Sequence, residues 1–109
     1  MIKPNPYKQS LELIFKSLNV TPEREYIYHP IRKWRIDYYF PEQMIAIEYE
    51  GMAYTGGKSR HTTISGFTKD CDKYNEMALM GITLLRFNAE MINKGKALQQ
   101  IKRAFKCSK

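Results

Sequence analysis

The spacing of apolar residues predicts a helix at the start of the chain. Its apolar stripe recurs every three or four residues and consists of Leu11, Ile14, Phe15 and Leu18. Pro6 is favoured in a first helical turn, and Asn5 before it can cap that turn. Asn19 and the Thr21-Pro22 pair end the pattern.

Three predicted strands follow and are joined by short turns. The first is the run at residues 26–28. Residues 33–40 alternate as a half-buried strand requires, with Trp34, Ile36 and Tyr38 on one face and Arg35, Asp37 and Tyr39 on the other. After a turn at Pro41, residues 43–50 form the third strand. One face of this strand carries Ile45, Ile47 and Tyr49, and the other carries Met44, Ala46, Glu48 and Glu50.

The second half of the chain predicts a long loop, a helix, a strand and a last helical region. The loop runs from Gly51 to about residue 67 and is rich in glycine, hydroxyl and basic residues, and its length for so small a domain is typical of functional or mobile loops. A helix is expected over residues 68–80, and the apolar run at residues 82–87 predicts a central strand covered on both faces. Asn88 can cap the last helical region, which Gly95 interrupts. The stripe of that region is Leu98, Ile101 and Phe105.

This order of elements predicts an α/β fold in one domain over residues 1–109. The first three strands are joined by short turns, whereas the fourth returns after a helical crossover. Such a combination favours a mixed four-stranded sheet with helices on both faces.

The charge of the chain indicates a polyanionic partner. The net charge is +7, and residues 1–50 contribute nothing to it because seven Lys and Arg balance seven Asp and Glu. Residues 51–109 carry eleven basic and four acidic residues, so the whole excess lies there. A basic surface of this kind favours nucleic acid, although charge alone is also compatible with mere solubility.

Other features of the composition exclude several classes of protein. No apolar run approaches the roughly 20 residues that span a bilayer, and the first residues lack the apolar core of a secretory signal. We therefore expect a cytoplasmic protein without a membrane partner. The two cysteines, Cys71 and Cys107, are far apart and are interpreted as free thiols.

Three acidic residues in the predicted hairpin indicate a metal site. Asp37 and Glu48 fall on neighbouring strands at nearly opposite positions, and Glu50 lies two residues further on the same face as Glu48. Carboxylates clustered on an apolar sheet need a cation, and oxygen ligands suit Mg²⁺ or Mn²⁺. The alternative is an ordinary ion-pair network, in which the acids are neutralised by Arg35, Lys33 or Lys73.

The same hairpin resembles the active site of the PD-(D/E)XK nuclease superfamily, and more specifically its branch related to the very-short-patch-repair endonucleases. The supporting motifs are Trp34-Arg35-Ile36-Asp37, Glu48-Tyr49-Glu50-Gly51, the basic helix at residues 69–75, and the Gly-Ile-Thr-Leu-Leu-Arg-Phe strand at residues 81–87. Residues 60–62 with 66–70 are similar to small phage and prophage endonucleases and resolvases. The resemblance covers about residues 10–105.

The resemblance implies a restriction-endonuclease-like αβββαβ core and a metal-dependent DNA endonuclease. Asp37 and Glu48 would bind Mg²⁺ or Mn²⁺, with the backbone carbonyl of Tyr49 as a further ligand. Glu12 matches an acid on the first helix that completes the metal shell through water in such proteins. Its alternative is a solvated helix acid beside the apolar stripe.

One residue departs from the pattern, because Glu50 stands where the superfamily usually has Lys. That Lys orients the attacking water or stabilises the charge of the transition state. Three replacements are possible: a second metal bound by Glu50, a lysine from the following helix, or His61 acting on the water. Lys73 is the preferred helix lysine and Lys69 its alternative. His61 would otherwise be a general acid, a phosphate contact or a bystander.

DNA is the expected partner, and its phosphates would contact Lys58, Arg60, His61 and Lys69. The resemblance is compatible with a homodimer that cuts branched DNA and with a monomeric nickase. The rival class is a non-catalytic nucleic-acid-binding module whose missing lysine marks a degenerate nuclease site. Converging acids would repel phosphate unless a cation were present, and this favours catalysis.

Overall fold

A computed structural model of the protein describes residues 5–51 and 64–107. Its elements in chain order are α1 (Pro6–Ser17), β1 (Glu23–Ile27), β2 (Arg35–Phe40), β3 (Ile45–Tyr49), α2 (Ile64–Leu79), β4 (Thr83–Phe87), α3 (Ala89–Asn93) and α4 (Lys96–Cys107). The predicted order is confirmed, as are the caps: Asn5 accepts hydrogen bonds at the start of α1 and Asn88 at the start of α3. Gly95 separates α3 from α4 with a φ of 80°, which favours glycine.

The strands form one mixed sheet in the order β1-β2-β3-β4. β1 and β3 run antiparallel to β2, whereas β4 runs parallel to β3. The expectation that the fourth strand is central is wrong, because β4 lies at the edge of the described sheet and β3 is the strand that is buried along most of its length. Leu84 and Leu85 pack in the two different clusters on opposite faces of the sheet. Apolar residues are therefore needed on both faces of this strand although it lies at the edge.

Helices cover both faces of the sheet, as predicted. On one face, Leu11 and Phe15 of α1 and Ile101 of α4 pack against the sheet residues Tyr38 and Ile47. On the other face, the packing includes Met77 of α2, Ile36, Tyr39, Ala46 and Ile82. The chain therefore has the α/β fold with a mixed four-stranded sheet and flanking helices.

The predicted alternation along β2 is interrupted at Asp37. Ile36 packs with Tyr39 on the α2 side, whereas Tyr38 packs on the α1 side, so Ile36 and Tyr38 do not share a face. The ladder between β1 and β2 skips the position between the pairs Arg24↔Tyr38 and Tyr26↔Ile36. Glu25, opposite Asp37, has a φ of 51°, and this left-handed conformation breaks the regular pleat.

The helix α2 begins earlier than the sequence predicts. It starts at Ile64, so the expectation of a loop that continues to about residue 67 is wrong. Gly66 suggested a loop, but it is buried within the helix, where a residue without a side chain can lie close to its neighbours. The Thr68 hydroxyl donates to the Ile64 carbonyl at 2.9 Å and so adds a bond to the first turn.

Candidate active site

A cleft between α1, α2 and the end of the hairpin brings most of the described candidate residues together. Its acidic lining residues are Asp37, Glu48, Glu50 and Asp70, and its basic ones are Lys8, Lys33, Arg35, Lys69, Lys73 and Arg86. Six basic against four acidic side chains give these described walls a net formal charge of +2. A positively charged cleft with acids among its lining residues suits an anionic substrate that meets a bound cation.

Asp37 is held between β3 and α1. Its Oδ2 accepts a hydrogen bond from the backbone N–H of Tyr49 at 2.9 Å, and its Oδ1 lies 3.5 Å from the Lys8 ammonium. The paired positions of β2 and β3 end at Tyr38↔Ile47. Beyond this pair, the Asp37 side chain takes the place of a backbone partner for the Tyr49 N–H. The Asp37 carboxylate is therefore fixed beside the strand segment that bears Glu48.

Glu48 is the buried acid of the cleft, with 7% of its surface exposed. Its Oε1 lies 3.3 Å from the Lys73 ammonium, but this contact lacks hydrogen-bond geometry, and no residue of the ranges 5–51 and 64–107 makes a hydrogen bond to this buried oxygen. Burial raises the pKa of the Glu48 carboxyl; Asp37 and Glu50 add to the rise, and Lys73 opposes it. Glu48 is thus a carboxylate whose charge is only partly compensated by the described residues.

Glu50 faces Arg86 of the neighbouring strand. The Nη2 of Arg86 donates to the Glu50 Oε1 at 3.0 Å, and the guanidinium lies 4.4 Å from the centre of the Tyr74 ring. Glu48 pairs with Arg86 in the parallel register, and Glu50 follows two residues later on the same face. The carboxylate that replaces the expected lysine is therefore bound to a cation from β4.

The three acids line one cleft, but the expected convergence into a single three-carboxylate cluster is not observed. Among residues 5–51 and 64–107, no group of three or more Asp, Glu, His or Cys side chains is arranged to hold a metal ion. Each acid instead has a basic neighbour: Lys8 for Asp37, Lys73 for Glu48 and Arg86 for Glu50. The ion-pair alternative is thus realised through Lys73, whereas Lys33 and Arg35 are not the partners of these acids.

The donor atoms of the cleft nevertheless fit a hard divalent cation. Asp37 and Glu48 supply carboxylate oxygens, the type of ligand that Mg²⁺ and Mn²⁺ prefer. The buried Glu48 Oε1 accepts no hydrogen bond from the described residues, and a bound cation would satisfy this atom. With the Tyr49 carbonyl, these two side chains are the residues able to hold such an ion.

Glu12 is not brought into this cleft. The Arg24 guanidinium donates to both of its carboxylate oxygens, from Nε at 2.7 Å and from Nη2. These hydrogen bonds lower the pKa of the Glu12 carboxyl. The described structure gives Glu12 a place in an ion pair between α1 and β1, and its part in a metal shell stays a prediction.

The two helix lysines differ in their surroundings. Lys73 points towards Glu48 with 19% of its side chain exposed, whereas Lys69 lines the cleft from an exposed position. The turn of α2 that bears Lys73 is anchored by the Tyr28 hydroxyl, which donates to the Lys73 carbonyl at 2.9 Å. Three further candidates lie outside the described residues: Lys58, Arg60 and His61.

Lys8 and Arg86 are cleft residues that sequence reasoning missed. A signal existed for Arg86, because strand periodicity puts it on one face with Leu84, but its partner follows only from the pairing of β4 with β3. Lys8 precedes the buried Leu11 by one helical turn, which indicates an inward position. Its contact with Asp37 depends on how α1 crosses the sheet.

Comparisons with known proteins support the fold. The chain matches no known protein family in sequence, and no curated protein matches it. Among solved structures it is similar to the catalytic domain of the homing endonuclease I-Bth0305I, with a TM-score of 0.69 and 19% identity. The match covers 94% of this chain and 95% of that domain. At this identity the likeness establishes a shared fold, which is the fold of a nuclease domain.

The helices of the described ranges carry no membrane span, since none combines the length and the apolar character that crossing a bilayer requires.

Proposed function

We propose that the chain is a metal-dependent DNA endonuclease of the PD-(D/E)XK type, related to the very-short-patch-repair branch. The observation that carries this proposal is the buried Glu48 Oε1, which has the Lys73 ammonium at 3.3 Å but no hydrogen bond from the described residues, and which lies beside Asp37 in a cleft of net positive charge. A carboxylate kept buried in this way costs stability, and a bound cation offsets that cost. The fold shared with a homing endonuclease catalytic domain adds support.

Asp37, Glu48 and the Tyr49 carbonyl would hold one Mg²⁺ or Mn²⁺. The N–H and C=O of one residue in an extended strand point to the same edge. Since the Tyr49 N–H bonds to Asp37, its carbonyl is expected at the same edge. The chemistry supplied by a cation held there would be Lewis acidity, which would polarise the phosphodiester and lower the pKa of a bound water.

Lys73 provides the positive charge that the missing motif lysine would supply. Its ammonium is fixed by Glu48 at 3.3 Å and is mostly enclosed, so it can donate to a phosphate oxygen as negative charge grows there. Water attacks phosphorus in line and loses a proton, while the bond from phosphorus to the 3′ oxygen breaks and that oxygen gains a proton. The products are a 5′ phosphate and a 3′ hydroxyl.

Cleavage of a labelled DNA panel tests the proposal. Linear duplex, single strand, nicked circle, mismatch and four-way junction are incubated with Mg²⁺, Mn²⁺ or EDTA, using wild type, Glu48→Gln and Glu42→Gln. Glu42 is an exposed acid in the turn between β2 and β3, so its variant is the matched control. We expect metal-dependent cutting by wild type and Glu42→Gln, and a loss on the order of 100-fold or more in Glu48→Gln.

Two results would contradict the proposal. Cutting that persists in EDTA would exclude metal dependence. Salt-sensitive binding without cutting of any substrate would support the non-catalytic binding module. The panel also shows whether branched DNA is preferred, and sedimentation of the protein–DNA complex decides between a monomer and a homodimer.

A further inference from the structure

The Glu50 carboxylate is engaged by a guanidinium, since its Oε1 accepts a hydrogen bond from the Arg86 Nη2 at 3.0 Å. A carboxylate that binds a second metal ion would not need such a partner. We propose that the Arg86 guanidinium binds a DNA phosphate in the cleft, and that Glu50 is a positioning residue for Arg86 and does not bind metal. This inference rests on the proposed function, because it takes DNA as the occupant of the cleft.

The first support is the placement of Arg86 by the sheet. Parallel pairing puts Arg86 beside Glu48, and Glu50 holds its Nη2 at 3.0 Å. A backbone hydrogen bond from Glu50 N–H to the Phe87 carbonyl, at 2.7 Å, locks β3 and β4 together at this point. The guanidinium is therefore fixed next to the proposed metal-binding acid by rigid elements, as precise phosphate binding requires.

The second support is the Tyr74 ring. The guanidinium lies 4.4 Å from the ring centre, a distance that gives a cation–π contact, and the ring comes from α2 on the wall of the cleft. Contacts with a carboxylate and a ring reduce the freedom of the long arginine side chain. A guanidinium ordered before the substrate arrives loses less conformational entropy when it binds a phosphate.

The third support is the difference in exposure within the pair. The Arg86 side chain is 44% exposed, whereas that of Glu50 is 21% exposed. A guanidinium has five N–H donors, and the described hydrogen bond to Glu50 uses Nη2. The more open member of the pair is thus the one whose planar donors match a phosphate.

The charges of the site agree with these roles. With Arg86 beside it, Glu50 adds less repulsion towards phosphate than a lone carboxylate would. The guanidinium also restores a positive group near the strand position where the resemblance expects Lys. Arg86 then adds a second positive group to that of Lys73, and the metal needs only the ligands from Asp37, Glu48 and Tyr49.

DNA affinity tests the role of Arg86. Binding of the fluorescent panel substrates is measured by anisotropy in the Glu48→Gln background, where no cleavage interferes. Adding Arg86→Gln should weaken binding about five- to thirty-fold and reduce the slope of log K against log salt by about 0.9, the value for one lost phosphate contact. Lys94→Gln is the control, since Lys94 is exposed and pairs with Glu90 outside the cleft. An unchanged affinity and slope in Arg86→Gln would overturn the proposal.

Metal affinity tests the role of Glu50. Mn²⁺ binding is followed by electron paramagnetic resonance for wild type, Glu48→Gln, Glu50→Gln and Glu50→Ala. We expect Glu50→Gln to keep wild-type Mn²⁺ and DNA affinity, because the amide oxygen still accepts from Arg86. Glu50→Ala should weaken DNA binding as Arg86→Gln does while Mn²⁺ affinity is retained. A tenfold or greater loss of Mn²⁺ affinity in Glu50→Gln would instead identify a metal ligand.

The nuclease activity and the roles of Arg86 and Glu50 can be refuted separately. If wild type binds DNA and never cuts it, the proposed nuclease fails while the affinity and metal measurements still decide the roles of Arg86 and Glu50. If wild type cuts and Glu48→Gln does not, an unchanged Arg86→Gln refutes this inference alone. Thermal melting of every variant shows whether a loss of affinity reflects unfolding.

Discussion

Asp37 accepts a hydrogen bond from the backbone N–H of Tyr49 at 2.9 Å, in place of a further rung of the ladder between their strands. The ladder partners end one position earlier, at Tyr38↔Ile47, so the strands part where the acids begin. On the opposite edge of β3, the N–H of Glu50 bonds to the Phe87 carbonyl. The strand segment with Glu48 is thereby fixed from both sides, and its acid is held at the opening between β2 and β3.

Lys73 should be required for both the stability of the site and its activity. Replacing it in Lys73→Met leaves the buried Glu48 carboxylate without its cation. We expect the free energy of unfolding at pH 7 to fall by about 1–2 kcal/mol, less than for a fully buried pair because 19% of the Lys73 side chain is exposed. Cleavage should fall on the order of 100-fold. Urea unfolding and the cleavage assay measure the two effects.

A double variant separates these effects. In Lys73→Met/Glu48→Gln no unpaired charge remains, so most of the lost stability should return while cleavage stays absent. Lys69→Met is the matched control, since Lys69 lies one helical turn away in an exposed position and should change stability by less than about 0.5 kcal/mol. Equal losses of stability in Lys73→Met and the double variant would argue against the pairing with Glu48.

Metal should stabilise the folded chain through Glu48. Mg²⁺ at ten times its dissociation constant adds about 1.4 kcal/mol to the free energy of unfolding, and the melting temperature of wild type should rise by about 5 °C or more. Because the mostly enclosed Lys73 ammonium loses its carboxylate partner, Glu48→Gln should melt lower than wild type in EDTA. Its melting temperature should not respond to Mg²⁺. Differential scanning calorimetry with and without Mg²⁺ measures both shifts, and an equal rise in the two proteins would place the ion elsewhere.

Local signals made much of the fold predictable from the sequence. The Asn5 cap and the stripe ending at Leu18 define α1 within a few neighbouring residues, and the turn at Pro41 brings Asp37 and Glu48 onto adjacent strands. These features depend on short-range chemistry, namely capping, periodicity and turn preference. The αβββαβ order and the two covered faces follow from them.

The partners of the acids were less predictable because they depend on distant parts of the chain. Lys8 reaches Asp37 only through the crossing of α1 over the sheet, and Arg86 reaches Glu50 only because β4 adds to the edge of β3. The break in alternation at Asp37 depends on Glu25, a residue type with no preference for a left-handed conformation. Neither the pattern around Asp37 nor that around Glu25 signals this break.

Glu12 should contribute to stability in a pH-dependent way and have no part in cleavage. Its carboxyl pKa is lowered from 4.5, first by the hydrogen bond from Arg24, so the folded state favours the ionised form. The stabilisation is therefore fully present above pH 4.5 and is lost as the pH falls through the lower folded pKa. Glu12→Gln should reduce the free energy of unfolding at pH 7 by about 0.5–1 kcal/mol, a value limited by solvent screening. Urea titrations across this pH range measure it.

The cleavage assay gives the second readout for Glu12. A rate within about threefold of wild type is expected, since its carboxylate is engaged by Arg24 and is not among the cleft residues. Glu42→Gln serves again as the exposed control, with little change in either measurement. A cleavage loss comparable to that of Glu48→Gln, at unchanged stability, would restore Glu12 to the metal shell.

Lys69 should act on DNA through its charge alone. It lies exposed on the wall of the cleft, one helical turn before Lys73, where a phosphate can approach it. Lys69→Gln should lower affinity for every member of the DNA panel by a similar factor of about three to ten and reduce the salt slope by about 0.9. Lys16→Gln, at the exposed end of α1 and away from the cleft, should leave both quantities unchanged. A loss confined to one DNA structure would instead show that Lys69 reads the shape of the substrate.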